Sequence, residues 1–213
     1  DLGSNSVRLV IFDVKDGISK KRPITCKDFR SIINDKVMAG LSAYVDAGEF
    51  TPEGIARAVD VLSGHLKRAR YFNCVRTDIF ATAVLRNCTN SREAISAIEK
   101  AIGAPVNLLS ARDEAHLSFT GASCDRTIEK GTVVDLGGGS TELIRVEKGR
   151  DFDDVSIGQG SLSSYAGYVE FVMPRADEVG AIESAFLDQV AKTPVDLKKY
   201  RAETLYGVGG SAR

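Results

Sequence analysis

Histidine, cysteine and unbalanced charge are scarce in this sequence of 213 residues, and each scarcity excludes something. His65 and His116 are its only 2 histidines. That is too few for a histidine-rich metal cage, so any metal is expected to be a hard cation on carboxylates. The cysteines, Cys26, Cys74, Cys88 and Cys124, are widely spaced and form no C-x-x-C pair. Neither a zinc site nor a disulfide framework is indicated, and reduced thiols in a cytoplasmic protein are expected. Lys and Arg number 28 against 29 Asp and Glu, so no global basic field recruits nucleic acid or an anionic membrane. The longest apolar runs fall far short of the ~20 residues that span a bilayer. No basic, apolar and small-residue leader opens the sequence.

What is present reads as interleaved strands and helices, the pattern of an α/β architecture. Val7–Val14 is rich in β-branched and apolar residues and predicts a strand, with Asp16-Gly17 as a hairpin signal and Ile18–Thr25 as its return. Lys36–Phe50 lacks periodicity and reads as a loop. Thr51-Pro52-Glu53 starts a helix whose apolar stripe is Ile55, Val59, Leu62 and Leu66. Val75–Thr82 alternates like a strand. Asn90, with Glu93 three residues on, reads as a capping box for a second helix that Gly103 stops. Pro105–Leu109 reads as a short strand, Ala111–Phe119 as a helix, Gly131–Val146 as two strands around a glycine turn, Ala176–Val190 as a helix and Thr204–Tyr206 as a last strand. The polar stretch Cys124–Lys130 is the best linker, giving domains 1–123 and 124–213. The basic clusters Lys20-Lys21-Arg22 and Lys198-Lys199-Tyr200-Arg201 read as solvated loops that could also guide a polyanion.

The opening stretch recurs. Asp1–Val14 reads DLGSNSVRLVIFDV and Asp135–Val146 reads DLGGGSTELIRV. The two share Asp-Leu-Gly, a Ser at the sixth place, and Leu followed by a branched aliphatic residue at the ninth and tenth. Each predicts a strand, a tight polar turn and a return strand, so the chain reads as two similar halves. Glycine lets successive backbone N–H groups converge on an anion without obstruction by Cβ, and Ser and Thr hydroxyls add donors. An aspartate at the strand end can hold a divalent cation. A third glycine element, Gly207-Val208-Gly209-Gly210-Ser211, again follows a short apolar strand. A single turn of this kind reads as a plain tight hairpin; three on strand ends favour phosphate binding.

The set resembles the actin-like ATPase (ASKHA) superfold of sugar kinases, actin and heat-shock chaperone ATPases. Within it the wording is most similar to the exopolyphosphatase / guanosine pentaphosphate phosphohydrolase (Ppx/GppA) phosphatases. The resemblance rests on Asp1–Val10, on ATAVLRN at Ala81–Asn87, on SARDEAHLSFTG at Ser110–Gly121, on VVDLGGGSTEL at Val133–Leu143 and on GVGGSAR at Gly207–Arg213. It implies two ribonuclease H-like (actin-like ATPase) domains of mixed sheet plus helices around an interdomain cleft. It further implies hydrolysis of a terminal phosphoanhydride in inorganic polyphosphate or pppGpp by metal-assisted attack of water.

By resemblance Glu114 is the general base and Glu142 a carboxylate that holds the metal or the water. Ser4, Asn5, Ser6, Arg86, Gly137, Gly138, Gly139, Ser140, Thr141, Gly209 and Gly210 bind phosphate. Asp1, Asp135 and Glu142 face Mg²⁺ (or Mn²⁺), and the family is often homodimeric. From spacing alone Glu114 reads as a solvated carboxylate in the first turn of a helix, and Arg86 as a surface cation. The family usually has Glu-Glu-Ala-Arg where this chain has Asp113-Glu114-Ala115-His116, and often glycine where Ala81 stands. The base is retained; arginine, which could make a local salt bridge, is absent at position 116. Family chains also carry strand residues before the first aspartate and a helix after the third glycine turn, so further segments are expected on both sides. Two alternatives compete with the hydrolase: an ASKHA kinase transferring phosphate from ATP, and a non-catalytic module that binds a nucleotide or alarmone.

Overall fold

The structure, a computed structural model, describes residues 1–15, 25–124 and 126–210. The Asp16-Gly17 turn, residues 18–24 of the expected return strand, the Lys20-Lys21-Arg22 cluster and Ser211 lie outside the described residues. The chain divides into two compact units, Asp1–Leu109 and Ser110–Arg213. Residues 111–122, which the sequence placed at the end of the first domain, group with the second unit. The expected mixed α/β class is observed in both.

In the first unit β1 (Ser6–Val14) pairs antiparallel with β2 (Phe29–Met38), with a bulge between Ile11 and Phe12. Among the described residues the partner of β1 is thus Phe29–Met38. The stretch read as a loop contains the end of β2, a 3-10 helix at Leu41–Tyr44, and the short antiparallel pair β3 (Val45–Asp46) and β4 (Glu49–Phe50). Helix α1 (Pro52–Tyr71) starts as predicted: Thr51 Oγ1 accepts from the Gly54 N–H, and Pro52 occupies the first turn. Only β5 (Phe80–Ala81) forms within the predicted strand 75–82, because Val75 is fully exposed and finds no partner. The short helix α2 (Ala83–Arg86) follows, then α3 (Ser91–Ile102) and β6 (Asn107–Leu108), which runs parallel to β5. Asn90 sits at the N-cap of α3, but its side chain does not cap. Its Oδ1 accepts from the Phe50 N–H at 2.9 Å and its Nδ2 donates to the Phe50 carbonyl at 3.0 Å, tying α3 to β4. Leu2, Val7, Phe50, Leu62, Leu85 and Ile98 form the centre of this unit's core.

The second unit is a four-stranded sheet in the order β10-β7-β8-β9. Helix α4 (Ala111–Ala122) precedes β7 (Lys130–Leu136), β8 (Thr141–Glu147) and β9 (Arg150–Ile157), which form an antiparallel meander. Helices α5 (Ser161–Tyr168) and α6 (Ala176–Lys192) and a 3-10 helix at Leu197–Tyr200 lead to β10 (Leu205–Val208), parallel to β7. One face of the sheet presents Val133, Ile144 and Val146 to Ala115 and Phe119 of α4. On β8 those apolar residues alternate with Arg145 and Glu147, the period-2 pattern of a strand with one covered face. In the first turn of α6 the buried Glu178 accepts from two backbone groups, Arg175 N–H at 2.7 Å and Glu170 N–H at 3.1 Å. These bonds hold its pKa below the usual carboxylate value.

Candidate active site

The register of the second sheet builds a polar row. Asp135 on β7 lies opposite Glu142 on β8, and Glu142 lies opposite Ser156 on β9. The neighbouring row on the same face, Val133, Ile144 and Asp154, begins the contact surface for α4. Asp135, Glu142 and Ser156 therefore look toward α4, the helix that carries Glu114. Ser110 starts that helix: its Oγ accepts from the Asp113 N–H at 3.1 Å, and its hydroxyl donates to the Asp113 carboxylate at 2.6 Å. The cap holds the pKa of Asp113 down and leaves Glu114 in the first turn, half-buried.

Glu142 is 2% exposed. Burial pushes its pKa up, hydrogen bonds from Ser140 and Ser156 pull it back, and the charges of Glu114 and Asp135 raise it again. The Ser156 hydroxyl donates to Glu142 Oε1 at 2.9 Å. Ser118, one helical turn beyond Glu114, donates to Asp135 Oδ2. Three carboxylates thus converge, and two of them are aimed by serines from other elements.

The turn between β7 and β8 packs tightly. The Gly137 N–H donates to the Ser140 carbonyl at 3.0 Å, so this amide is engaged within the turn. The Gly137 and Gly138 carbonyls accept from Ser161, Leu162 and Ser163 N–H groups at the start of α5. A Cβ at Gly160 would lie 2.5 Å from the Gly137 carbonyl oxygen, which fixes glycine there by space. Ser140 and Thr141 are buried, and Thr141 Oγ1 donates to the Gln159 carbonyl at 2.7 Å. Gly139 is half-buried in the same turn. The third glycine element lies against it. Gly209 has φ +99°, and a Cβ there would meet the Leu136 carbonyl oxygen at 2.6 Å. Gly210, beyond β10, is exposed.

The remaining predicted residues lie in the first unit. Its turn has the same closure: the Gly3 N–H donates to the Ser6 carbonyl at 3.1 Å. The Ser4 and Asn5 carbonyls accept from Ser42 and Gly40 N–H groups, each at 2.8 Å, and the Ser4, Asn5 and Ser6 side chains are half-buried. Asp1 is exposed. Leu2 bridges to Ala81, and the Thr82 N–H donates to the Leu2 carbonyl at 3.3 Å, so the turn is joined to the start of α2. Arg86 at the end of α2 donates from one terminal guanidinium nitrogen to the Leu109 carbonyl at 3.1 Å.

Among the described residues no three or more His, Cys, Asp or Glu side chains form a group that could hold a metal ion by themselves. Mg²⁺ does not require such a cage: it keeps several waters and takes one or two carboxylates plus substrate phosphate oxygens. Asp135 and Glu142, facing each other across two strands, fit that demand. Sequence reasoning missed Ser118 and Ser156. Ser118 had a signal, its i+4 spacing from Glu114; Ser156 required the register of β9.

The sequence matches the Ppx/GppA phosphatase family over residues 14–212. The chain belongs to that family. Exopolyphosphatase 2 of Mycobacterium tuberculosis is 30% identical over 152 residues, which cover 68% of this chain and 46% of that protein. Guanosine-5'-triphosphate,3'-diphosphate pyrophosphatase of Vibrio cholerae is 30% identical over 145 residues, 68% of this chain and 27% of that protein. This Ppx/GppA chain thus spans less than half the length of either relative. A crystal structure of an exopolyphosphatase from Cytophaga hutchinsonii superposes with a TM-score of 0.82 at 22% identity, covering 98% of this chain and 65% of that one. The Aquifex aeolicus PPX-GPPA enzyme gives a TM-score of 0.69 at 24% identity, covering 99% and 66%. Both establish a shared fold. No helix among the described residues is long and apolar enough to cross a membrane.

Proposed function

We propose that this protein hydrolyses a terminal phosphoanhydride, releasing orthophosphate from inorganic polyphosphate or from the 5′-triphosphate of pppGpp. The observation that carries this reading is the row Asp135–Glu142–Ser156 beneath the helix that bears Glu114. Hydrolysis of a phosphoanhydride needs charge neutralised on the non-bridging oxygens, a water in line and a group to steer its proton. In this reading Glu114 orients the water and accepts its proton. Arg86 and the turns at Gly3–Ser6 and Gly137–Thr141 bind phosphate oxygens, together with Gly209 and Gly210. Asp135 and Glu142 would hold Mg²⁺ or Mn²⁺, and Asp1 is assigned to the metal by family resemblance alone. The cation, when bound, would neutralise phosphate charge. Both halves are read as ribonuclease H-like units of the actin-like ATPase kind, each with one anion-binding turn. Support comes from family membership and from relatives named for polyphosphate and guanosine-phosphate hydrolysis.

The test is phosphate release from polyphosphate and from pppGpp, side by side, with Mg²⁺ supplied. Glu114→Gln should lower kcat by about 10²- to 10⁴-fold, the usual contribution of a positioned acid or base. Full activity in that variant would remove Glu114 from the role. ATP consumption that depends on an acceptor would instead favour a kinase.

A further inference from the structure

Helix α4 carries Glu114 yet is anchored in its unit's core by little. Its buried side chains are Ala115 and Phe119, spaced i and i+4 on one stripe. A helix resting on so narrow a stripe can roll about its axis, and a roll would swing Glu114 relative to the row below it. The flanks oppose this. On one side, next to Glu114, Ser118 donates to Asp135 of β7. On the other side lie Arg112 and His116, again i and i+4, and both meet acids of β9. His116 Nδ1 is 2.7 Å from Asp151 Oδ2, and Arg112 Nε is 4.0 Å from Asp154 Oδ1. With about 100° between successive side chains, the pair 114 and 118 and the pair 112 and 116 fall on opposite sides of the core stripe. Asp151 and Asp154 face α4 because they lie opposite Val146 and Ile144, whose side chains are in the apolar contact with that helix.

We infer that His116 is a positioning residue for Glu114: by gripping Asp151 it fixes the roll of α4 over the Asp135–Glu142–Ser156 row. Arg112 and Asp154, being more distant, make the weaker contact. The inference rests on the hydrolase reading only for its catalytic consequence; the mechanical part stands on the contacts alone. The His116 side chain is 56% exposed, so the pair adds little to global stability and acts on orientation instead.

The experiment compares the protein with His116→Ala, His116→Arg, Asp151→Ala and the double alanine variant. Phosphate release, thermal unfolding and amide hydrogen exchange over residues 111–118 are measured on each. Displacement of a catalytic group by a fraction of an ångström should lower kcat of His116→Ala by about 5-fold, with KM changed less than about 2-fold. Arginine at 116 can still donate to Asp151 and should restore kcat. The double variant should be no worse than either single one, since both remove one contact. Exchange should quicken over 111–118 in His116→Ala and Asp151→Ala, with unfolding temperatures within about 2 °C of the parent. Full kcat in His116→Ala, a loss that arginine does not rescue, or a fall in unfolding temperature matching the fall in rate would overturn the inference. If the parent releases no phosphate from either substrate, the hydrolase reading fails. The exchange data then decide the positioning role by themselves: unchanged exchange in both single variants overturns it.

Discussion

The two halves of the chain repeat one construction with different residues at two decisive places. Asp1-Leu2-Gly3 corresponds to Asp135-Leu136-Gly137, and the third residue of each turn closes onto the carbonyl of the sixth, Ser6 or Ser140. In each half the fourth residue's carbonyl accepts from the second residue of the helix that follows the next two strands: Ser4 from Ser42, Gly138 from Leu162. The first difference is Arg8 where the second half has Glu142. The second half therefore concentrates acids, while the first carries cations at Arg8 and Arg86. The second difference is the glycine that precedes the helix. Gly40 adopts φ +63° with open space around it, whereas Gly160 is extended with backbone pressed against it. Equivalent glycines are thus held for unlike reasons, one by conformation and one by room. A shared backbone plan leaves the chemistry of each half to be set by very few side chains.

That contrast can be broken at several points. Gly160→Ala forces a methyl into the turn backbone and should destabilise the second unit by about 3 kcal/mol in urea unfolding, the range of severe overpacking. A cost below that of Gly40→Ala would end the distinction between the two glycines. Asp135→Asn should lower kcat for phosphate release by about 10²-fold, while Asp1→Asn, in the half without an acid row, should cost less than about 10-fold. Equal losses would make the halves chemically equivalent. Gly40→Ala should cost about 1 kcal/mol, the strain of a left-handed residue with a Cβ. The smallest effect concerns Glu142, whose raised pKa means that the fold favours the neutral carboxyl. The stability from that neutral form is fully present below its ordinary value of 4.5 and is lost as pH rises through the higher folded value. In the presence of a chelator Glu142→Gln should therefore melt higher than the parent near neutral pH, with the gain vanishing in acid. A gain that persists in acid would point to packing rather than charge.

What the sequence made legible was local chemistry. The duplicated glycine turns, with Asp135 and Glu142 beside one of them, and the Thr51-Pro52-Glu53 start of α1 are signalled by residues close together in the chain; Glu114 was marked by family resemblance. What stayed hidden depends on partners far away. The alternation in Val75–Thr82 carries no information about whether a neighbouring strand exists, and only Phe80–Ala81 finds one in β6. Asn90 has the chemistry of a cap, yet Phe50 offers both a donor and an acceptor, and the longer-range pair prevails. That β1 pairs with Phe29–Met38 was likewise hidden, because pairing is set by which alternating strand covers the core. Ser156 joins Glu142 only through register. His116 looked like a lost arginine until β9 brought Asp151 within 2.7 Å.

Glu178 has one more consequence. A single carboxylate grips the backbone at Glu170 and at Arg175, the two sides of an exposed apolar tip formed by Phe171, Val172 and Met173. The Arg175 guanidinium reaches Glu170 and Glu178 at 3.3 Å each, closing the same ring of contacts. A protease that cuts at this tip would sever the chain without freeing either new end, and α6 would stay docked in a nicked but intact molecule.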